Sequence, residues 1–204
     1  MIDIKRLQTR LIGLGYDIGA ADGIAGPRTM TAVLARVANR PMAPLADLGA
    51  ALAKYAPRFG LIDTVPRFAN FVGQAAHETG SFRYLREIWG PTEQQRRYEG
   101  RADLGNTQPG DGKRYMGRGI FQLTGRANYA DMAMRTGLPL LEQPELAETP
   151  DLAVLTACIF WRTRKLSLLA DAGKEDAITR WVNGGTNGIA ERRTYVARAK
   201  GLFL

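Results

Sequence analysis

Apolar residues recur along most of the chain at the three- and four-residue spacing of amphipathic helices. The first such pattern runs from Ile4 to Leu14, and Gly15 follows where a helix would end. A connector rich in Gly and Asp comes next, and a second helical pattern begins at Pro27. These positions predict an N-terminal helical module over residues 1–40.

The pattern remains mostly helical after the segment NRPMAPL, whose two prolines mark a domain boundary. Residues 90–119 interrupt it with seven glycines and two prolines, which predicts a long irregular region. Between Gly80 and Trp89 apolar and polar residues alternate as in a strand. The expected fold class is therefore mainly α, with a small β or irregular lobe. Helices are predicted over residues 45–55, 65–79, 126–136, 150–164, 174–182 and 189–200.

Composition and charge narrow the function classes. Lys and Arg exceed Asp and Glu by 28 − 20 = 8 among 204 residues, and the pI is near 9.9, which favours a polyanionic partner. The only cysteine, Cys158, lies in an apolar run and is expected to be a buried, inert thiol. With one histidine and one cysteine, neither a disulfide nor a Cys/His zinc site is expected, and no metal or cofactor is predicted.

The stretch HETGSFRYLREIWG holds the only histidine, His77, and two glutamates, Glu78 and Glu87. Glu78 ends an apolar helical pattern, where burial is expected to favour the protonated carboxyl that a general acid needs. On one continuous helix, nine residues would place Glu87 on the opposite face about 13 Å away. Gly80 is expected to end the helix, so the chain can return and bring the carboxylates about 6.5–9.5 Å apart, as an inverting glycosidase requires.

Two parts of the chain resemble known families. The segment LQTRLIGLGYDIGAADGIAGPRTMTAV resembles a peptidoglycan-binding module and lies within residues 1–40. Three ordered motifs, HETGSFRYLRE, GDGKRYMGRGIFQLTGRANY and WVNGGTNG, resemble the catalytic signatures of glycoside hydrolase family 19, which contains chitinases and phage endolysins. This second resemblance covers residues 45–204 and implies a lysozyme-like catalytic domain.

The family resemblance also implies roles for individual residues. Glu78 matches the general acid, Glu87 the general base of the compact members, and Thr124 the hydroxyl that helps to hold the attacking water. Glu99 is the rival base, since its 21-residue spacing resembles that of the long-loop plant enzymes. Residues that match sugar-contacting or site-supporting positions are His77, Tyr115, Arg118, Gln122, Asn128, Asn183 and, as a late arginine near the acid, Arg193. Trp89 is expected to stack on a sugar, and Trp161 and Trp181 to lie in the core.

These features predict that the chain is an endolysin-type muramidase that cleaves the glycan strands of peptidoglycan. A chitinase is the alternative prediction. A lytic protein that works without its active site is a third reading, because the last helix, IAERRTYVARAK, is strongly basic. No nucleic-acid motif is present, and no stable membrane anchoring is expected. The chain is expected to act as a monomer. Since its N-terminus lacks the apolar core of a signal peptide, release from the host cytoplasm is expected to need a separate membrane pore.

Overall fold

Eleven α-helices, joined by turns and short 3₁₀ segments, form the computed structural model, which describes residues 1–204. The prediction of a mainly helical chain is confirmed. No helix combines the length and hydropathy needed to cross a lipid bilayer. The helices are α1 (Ile4–Gly13), α2 (Pro27–Ala38), α3 (Ala46–Tyr55), α4 (Val65–Glu78), α5 (Glu93–Arg96), α6 (Asp111–Arg114), α7 (Arg126–Thr136), α8 (Pro150–Thr163), α9 (Leu166–Asp171), α10 (Glu175–Asn183) and α11 (Ile189–Lys200).

The chain forms two compact units. The first comprises Met1–Arg83 and Cys158–Leu204, and the second comprises Tyr84–Ala157. Helices α1 and α2 therefore share a unit with α4 and α11. The sequence predicts a domain boundary between residues 40 and 45. The division into two compact units does not test that boundary, which stays a prediction.

In the first unit, Gln8 ties the N-terminal helices to the connector between them. Its side chain is only 2% exposed. Its Nε2 donates to Asp22 Oδ1 (2.8 Å) and Thr29 Oγ1 (3.1 Å), and its Oε1 accepts from the N–H of Gly23 (2.7 Å). A buried amide whose donors and acceptor are satisfied holds a turn in one conformation. Gln8 and the Asp22–Gly23 pair of the N-terminal motif thus close this connector.

Helices α4 and α11 pack closely in the same unit. Gly73, in the middle of α4, has no side chain, and a Cβ there would lie 2.8 Å from the backbone nitrogen of Val196 on α11. Behind this contact, the rings of Phe71 and Trp161 meet edge to face with centroids 5.4 Å apart. Trp161 is buried as predicted, but Trp181 is 59% exposed, so its assignment to the core is wrong. It lies on the solvent side of α10, beyond the reach of the apolar stripe around Ile178.

The second unit contains α5, α6, α7 and the first part of α8, with long irregular connections. Arg86 forms an isolated antiparallel bridge with Arg118, which in turn bridges Leu123. The predicted strand between Gly80 and Trp89 is therefore reduced to one bridge, because tight turns occupy residues 79–83. The predicted irregular region over residues 90–119 is found, and it encloses only the short helices α5 and α6.

The close approach of α4 and α11 predicts an unequal cost for two Gly→Ala changes. Gly73→Ala should lower the free energy of unfolding by about 1–3 kcal/mol, because the new methyl group overpacks the contact with Val196. Gly13→Ala, at the end of α1 in open space, is the control and should be neutral or stabilising by about 0.5–1 kcal/mol. Urea denaturation measures both, and equal midpoints for the two variants would contradict the proposed helix contact.

Candidate active site

The candidate acid, Glu78, is the last residue of α4, and the chain turns sharply after it. Gly80, Ser81 and Phe82 have φ values of 56°, 63° and 60°, so three successive residues adopt the left-handed conformation that ends the helix. The predicted stop at Gly80 is confirmed. Arg40 stabilises this turn, since its Nη1 donates to the carbonyl oxygens of Ser81 (2.9 Å) and Phe82 (3.1 Å).

A buried arginine of α11 fixes the carboxylate of Glu78. Arg192 is 1% exposed, and its Nη2 donates to Glu78 Oε1 over 2.5 Å. The same guanidinium donates to Gln74 Oε1 (2.5 Å) and to the carbonyl of Asn187 (3.2 Å). Gln74 in turn donates to Thr179 Oγ1 (3.0 Å), so the whole cluster is bonded. A charge-assisted pair with these additional bonds holds the carboxylate in one orientation.

This arrangement corrects two sequence-based expectations. The late arginine beside the acid is Arg192, whereas Arg193, to which the position was assigned, pairs with Asp176 at 2.9 Å and is largely exposed. Successive helix residues point about 100° apart, so a one-residue offset changes the neighbour completely. Glu78 was also expected to have an apolar environment, but it has a guanidinium partner and keeps 18% of its side chain exposed. The sequence does contain a signal for Arg192, because this charged residue lies on the same buried face of the helix as Tyr195, Val196 and Ala199.

His77 is held from the same helix. Its Nδ1 donates to Glu191 Oε2 at 2.7 Å, and the other carboxylate oxygen accepts from the hydroxyl of Tyr195 at 3.2 Å. The Tyr195 oxygen also bonds Ser81 Oγ at 2.8 Å. Gly188 lies so close to the imidazole ring that a Cβ would overlap it. Residues 77, 78 and 81 therefore each have a hydrogen-bond partner on α11. The supporting role of His77 stays a prediction.

In the second unit, Glu87 is bonded through both carboxylate oxygens. Its Oε1 accepts from the N–H of Gly117 (2.6 Å) and its Oε2 from Gln95 Nε2 (3.2 Å). Gln95 is buried and is itself fixed, since its Oε1 accepts from the N–H of Thr92 (2.8 Å). Tyr98 also lies near Glu87; burial, followed by the charge of that carboxylate, raises the pKa of the Tyr98 phenol. Gln95 and Tyr98 are neighbours of Glu87 that the motifs did not reveal.

The side chains of Thr124 and Gln122 lie next to Gly117, the glycine whose N–H bonds Glu87. A Cβ at Gly117 would lie 2.6 Å from Gln122 Oε1 and 3.2 Å from Thr124 Oγ1. Asn128 supports this segment by donating from Nδ2 to the carbonyl of Thr124 at 2.7 Å. The structure thus places Glu87, Thr124 and Gln122 next to Gly117, and Asn128 contacts this group through Thr124.

Two further predicted site residues are buried inside the second unit. Tyr115 is 1% exposed, and its hydroxyl donates to the carbonyl of Leu141 (3.0 Å). Arg118 pairs with Glu148 at 2.6 Å and donates to the hydroxyl of Tyr129 at 3.1 Å. These bonds support the loop that carries Gly117. Because both side chains are buried, they are placed to stabilise the site rather than to contact a sugar directly.

The remaining candidates have separate surroundings. Trp89 is half-buried and lies against Tyr98, with ring centroids 6.4 Å apart. Asn183, at the end of α10, has a buried Nδ2 with no hydrogen-bond partner in the protein. Glu99 is exposed, and its two carboxylate oxygens accept from the N–H groups of Gly110 (2.6 Å) and Gly112 (2.8 Å), so it closes the turn that begins α6.

No three His, Cys, Asp or Glu side chains lie close enough together to hold a metal ion. Cys158 is buried, and burial raises the pKa of its thiol well above the usual range, in agreement with the prediction of an inert side chain. Glu78 belongs to the first unit and Glu87 to the second. The distance predicted between their carboxylates therefore stays a prediction.

Two adjacent arginines of α11 provide a matched pair of variants. Arg192→Gln should lower the free energy of unfolding by about 3–5 kcal/mol, because it leaves Glu78 and Gln74 without their buried charged partner. Arg193→Gln removes only a surface pair with Asp176 and should cost about 1 kcal/mol or less. Chemical denaturation checks the difference, and similar losses for both variants would contradict the assignment of Arg192.

Comparison with known families supports the two resemblances. The class I chitinase model of glycoside hydrolase family 19 matches residues 58–194, and the model of a peptidoglycan-binding domain matches residues 2–35. A family 19 domain-containing protein of Haemophilus influenzae is 29% identical over 192 residues, which cover 80% of this chain and 94% of the relative. An endochitinase of Arabidopsis thaliana is 40% identical over 111 residues, which cover 48% of this chain but only 40% of the plant protein.

Solved structures show the same fold. Chitinase C from Streptomyces griseus superposes with a TM-score of 0.68 at 21% identity, covering 89% of this chain and 94% of that one. A bacterial family 19 chitinase gives a TM-score of 0.66 at 23% identity over 85% and 93% of the two chains. The predicted lysozyme-like α+β class is thereby confirmed. With a family model that matches most of its length, the chain belongs to glycoside hydrolase family 19 and is a glycoside hydrolase with an N-terminal peptidoglycan-binding domain.

Proposed function

We propose that this chain hydrolyses the β-1,4 glycosidic bonds of bacterial peptidoglycan as an endolysin-type muramidase. The observation that carries the proposal is the peptidoglycan-binding match at residues 2–35 beside a family 19 catalytic domain at residues 58–194. The net charge of +8 suits an anionic cell-wall polymer. A glycan strand is thus the proposed substrate, and lysis of the cell wall is the proposed outcome.

Glu78 is the proposed general acid. Arg192 bonds its Oε1, which leaves Oε2 to carry the proton that is delivered to the leaving glycosidic oxygen. Because the guanidinium is itself fixed by Gln74 and by the carbonyl of Asn187, the carboxyl group has little freedom to rotate away from the substrate. Arg192 is therefore a positioning residue for the acid, and the pair of His77 with Glu191 stabilises the adjacent backbone.

Glu87 is the proposed general base. A base that activates water must be held in place and must lie near a second group that orients the water. Glu87 accepts from the N–H of Gly117, and Thr124 Oγ1 lies beside the same glycine, so the carboxylate and the hydroxyl are both next to Gly117. Glu99 instead bonds Gly110 and Gly112 and closes a turn. This difference supports Glu87 over Glu99, and attack by the activated water would invert the anomeric configuration.

The proposed substrate contacts are polar side chains and one aromatic ring. Trp89 would stack on a sugar face, and its contact with Tyr98 places the ring in the cluster that surrounds Glu87. Asn183 Nδ2 has no protein acceptor, and an N-acetyl or hydroxyl oxygen would satisfy it. Gln122 and Asn128 lie in the segment that carries Thr124.

A chitinase is the second candidate. It is favoured by the class I chitinase model and by the name of the Arabidopsis relative, an endochitinase. Chitin and peptidoglycan strands share N-acetylglucosamine, so one catalytic pair suits both. The peptidoglycan-binding match favours the wall polymer, and the chemical identity of the reducing ends that are released separates the candidates.

Glu78→Gln should lower the rate of hydrolysis by about 10²–10⁴-fold, because the amide cannot donate the proton to the leaving oxygen. Turbidity loss of purified cell walls and release of reducing ends measure the effect, with Glu93→Gln, an exposed residue of α5, as the control. New reducing N-acetylmuramic ends support a muramidase, N-acetylglucosamine ends from walls indicate a glucosaminidase, and cleavage of chitin alone supports the chitinase. Lysis retained by Glu78→Gln would support the non-catalytic reading.

Glu87→Gln and Glu99→Gln test the assignment of the base. Glu87→Gln should lower kcat by about 10²-fold or more, because water activation is lost, while KM changes little. Glu99→Gln should act mainly on stability, since its two acceptor bonds hold the Gly110–Gly112 turn. Initial rates together with thermal melting separate the two effects. A larger fall in kcat for the folded Glu99 variant would transfer the base role to Glu99.

A further inference from the structure

A cavity of about 520 Å³ lies within the first unit, between the N-terminal helices and the end of α11. Its volume is in the range of small-molecule sites. Arg192 and Arg198 are six residues apart on α11, which corresponds to about 9 Å along the helix and about 120° around it, so the cavity and the acid lie on different faces. The lining includes three arginines and four apolar residues: Arg10, Arg36, Arg198, Leu14, Ala197, Leu202 and Leu204.

The charge of this cavity is unbalanced. No Asp or Glu side chain lines it, and the main-chain carboxylate of Leu204, which does, accepts from Arg6 Nη2 at 2.6 Å. The ion pairs of the protein involve none of the three lining arginines. Arg198 is oriented by one bond from Nη1 to the carbonyl of Val37 at 3.1 Å, which fixes the guanidinium without neutralising it. Three cations around one concave surface repel one another, and a bound anion would relieve that repulsion.

A simpler explanation accounts for part of this arrangement. Arg10, Arg36 and Arg198 each lie in the last turn of their helix, where a cation favours the helix dipole. That effect requires a positive charge at each helix end. It does not require the three helix ends to converge on one cavity, where the mutual repulsion opposes the gain.

We propose that the cavity binds a carboxylate-bearing stem peptide of peptidoglycan, an inference that rests on the proposed function. In the wall, the lactyl carboxyl of N-acetylmuramic acid is consumed in the amide bond to the peptide, so the acidic groups belong to the stem peptides. Guanidinium groups bind carboxylates in a fork geometry, and Leu14, Ala197 and Leu202 offer apolar surface to small alkyl side chains. Chitin has no such peptide, so this contact would favour peptidoglycan over chitin.

Calorimetric titration of the full chain with a synthetic acidic tetrapeptide of stem composition tests the proposal. The peptide should bind, and the same peptide with its carboxylates converted to carboxamides should bind at least ~10-fold more weakly. This comparison uses the unaltered protein, so it does not depend on the folding of any variant. Inorganic phosphate is the competing probe: if it binds as tightly as the peptide, the cavity is a general anion site and the peptide assignment falls.

Variants identify the residues. Arg10→Gln combined with Arg36→Gln should weaken peptide binding at least ~10-fold. The control combines Arg28→Gln with Arg58→Gln, two exposed arginines of the same unit that do not line the cavity, and it removes the same net charge. Equal losses in the two double variants would reduce the effect to overall charge and overturn the proposal. Because the peptide has no glycosidic bond, a failure of wall hydrolysis and a failure of peptide binding are separate outcomes.

Discussion

The close contact between α4 and α11 is the constraint on which the first unit depends. Gly73 lets the backbones approach until a methyl group would overlap Val196. That approach brings α11 within hydrogen-bonding distance of the end of α4, so that Glu191, Arg192 and Tyr195 contact residues 77, 78 and 81. A larger residue at position 73 would separate the helices and lengthen all three interactions at once.

The buried guanidinium of Arg192 has a cost that the rest of the cluster offsets. A charge removed from water is unfavourable unless it is paired and its remaining donors are bonded. When it is ionised, Glu78 supplies the opposite charge, and Gln74 and the carbonyl of Asn187 accept the other N–H groups. The proposed acid is thus part of the interaction that stabilises the helix pair. Stability and orientation of the carboxyl group therefore depend on the same residues.

In the second unit, as at Gly73 in the first, a glycine determines how the candidate glutamate is held. Gly117 donates its N–H to Glu87, and its missing side chain leaves room for Gln122 and Thr124. The fixed position of the proposed base thus comes from a backbone group, which no side-chain substitution removes. Gln95 completes the arrangement from the other oxygen of the carboxylate. The hydrogen bonds described for each candidate glutamate join it to residues of its own unit.

Helical periodicity and turn residues predicted most of the fold, because they depend on neighbours along the chain. The predicted helices from residue 126 onward differ from α7, α8, α10 and α11 by one residue or less at either end. The site was predicted less completely. The sequence identified Glu78 but could not separate Arg192 from its neighbour, because the choice depends on which face of α11 meets α4.

The choice between Glu87 and Glu99 as the base was limited in the same way, because the sequence alone could not decide it. Both Glu87 and Glu99 have the right chemistry, and their spacing from Glu78 fits different branches of the family. Their backbone partners differ because Gly117 and the Gly110–Gly112 turn occupy different places in the folded loop. Such long-range contacts leave no periodic signal in a single sequence. The exposed position of Trp181 escaped prediction for the same reason.

The structure changes the interpretation of the positive charge on α11. A helix with four cations suggests a surface that disturbs an anionic membrane, yet three of these charges pair with carboxylates within the first unit. A carboxylate partner removes most of the attraction that a cation would have for a lipid headgroup, and the apolar residues of this helix are turned toward the core. This argues for catalysis rather than membrane disruption as the role of the helix. The four cations and their acceptors are Arg192 with Glu78, Arg193 with Asp176, Arg198 with the carbonyl of Val37, and Lys200 with Glu175.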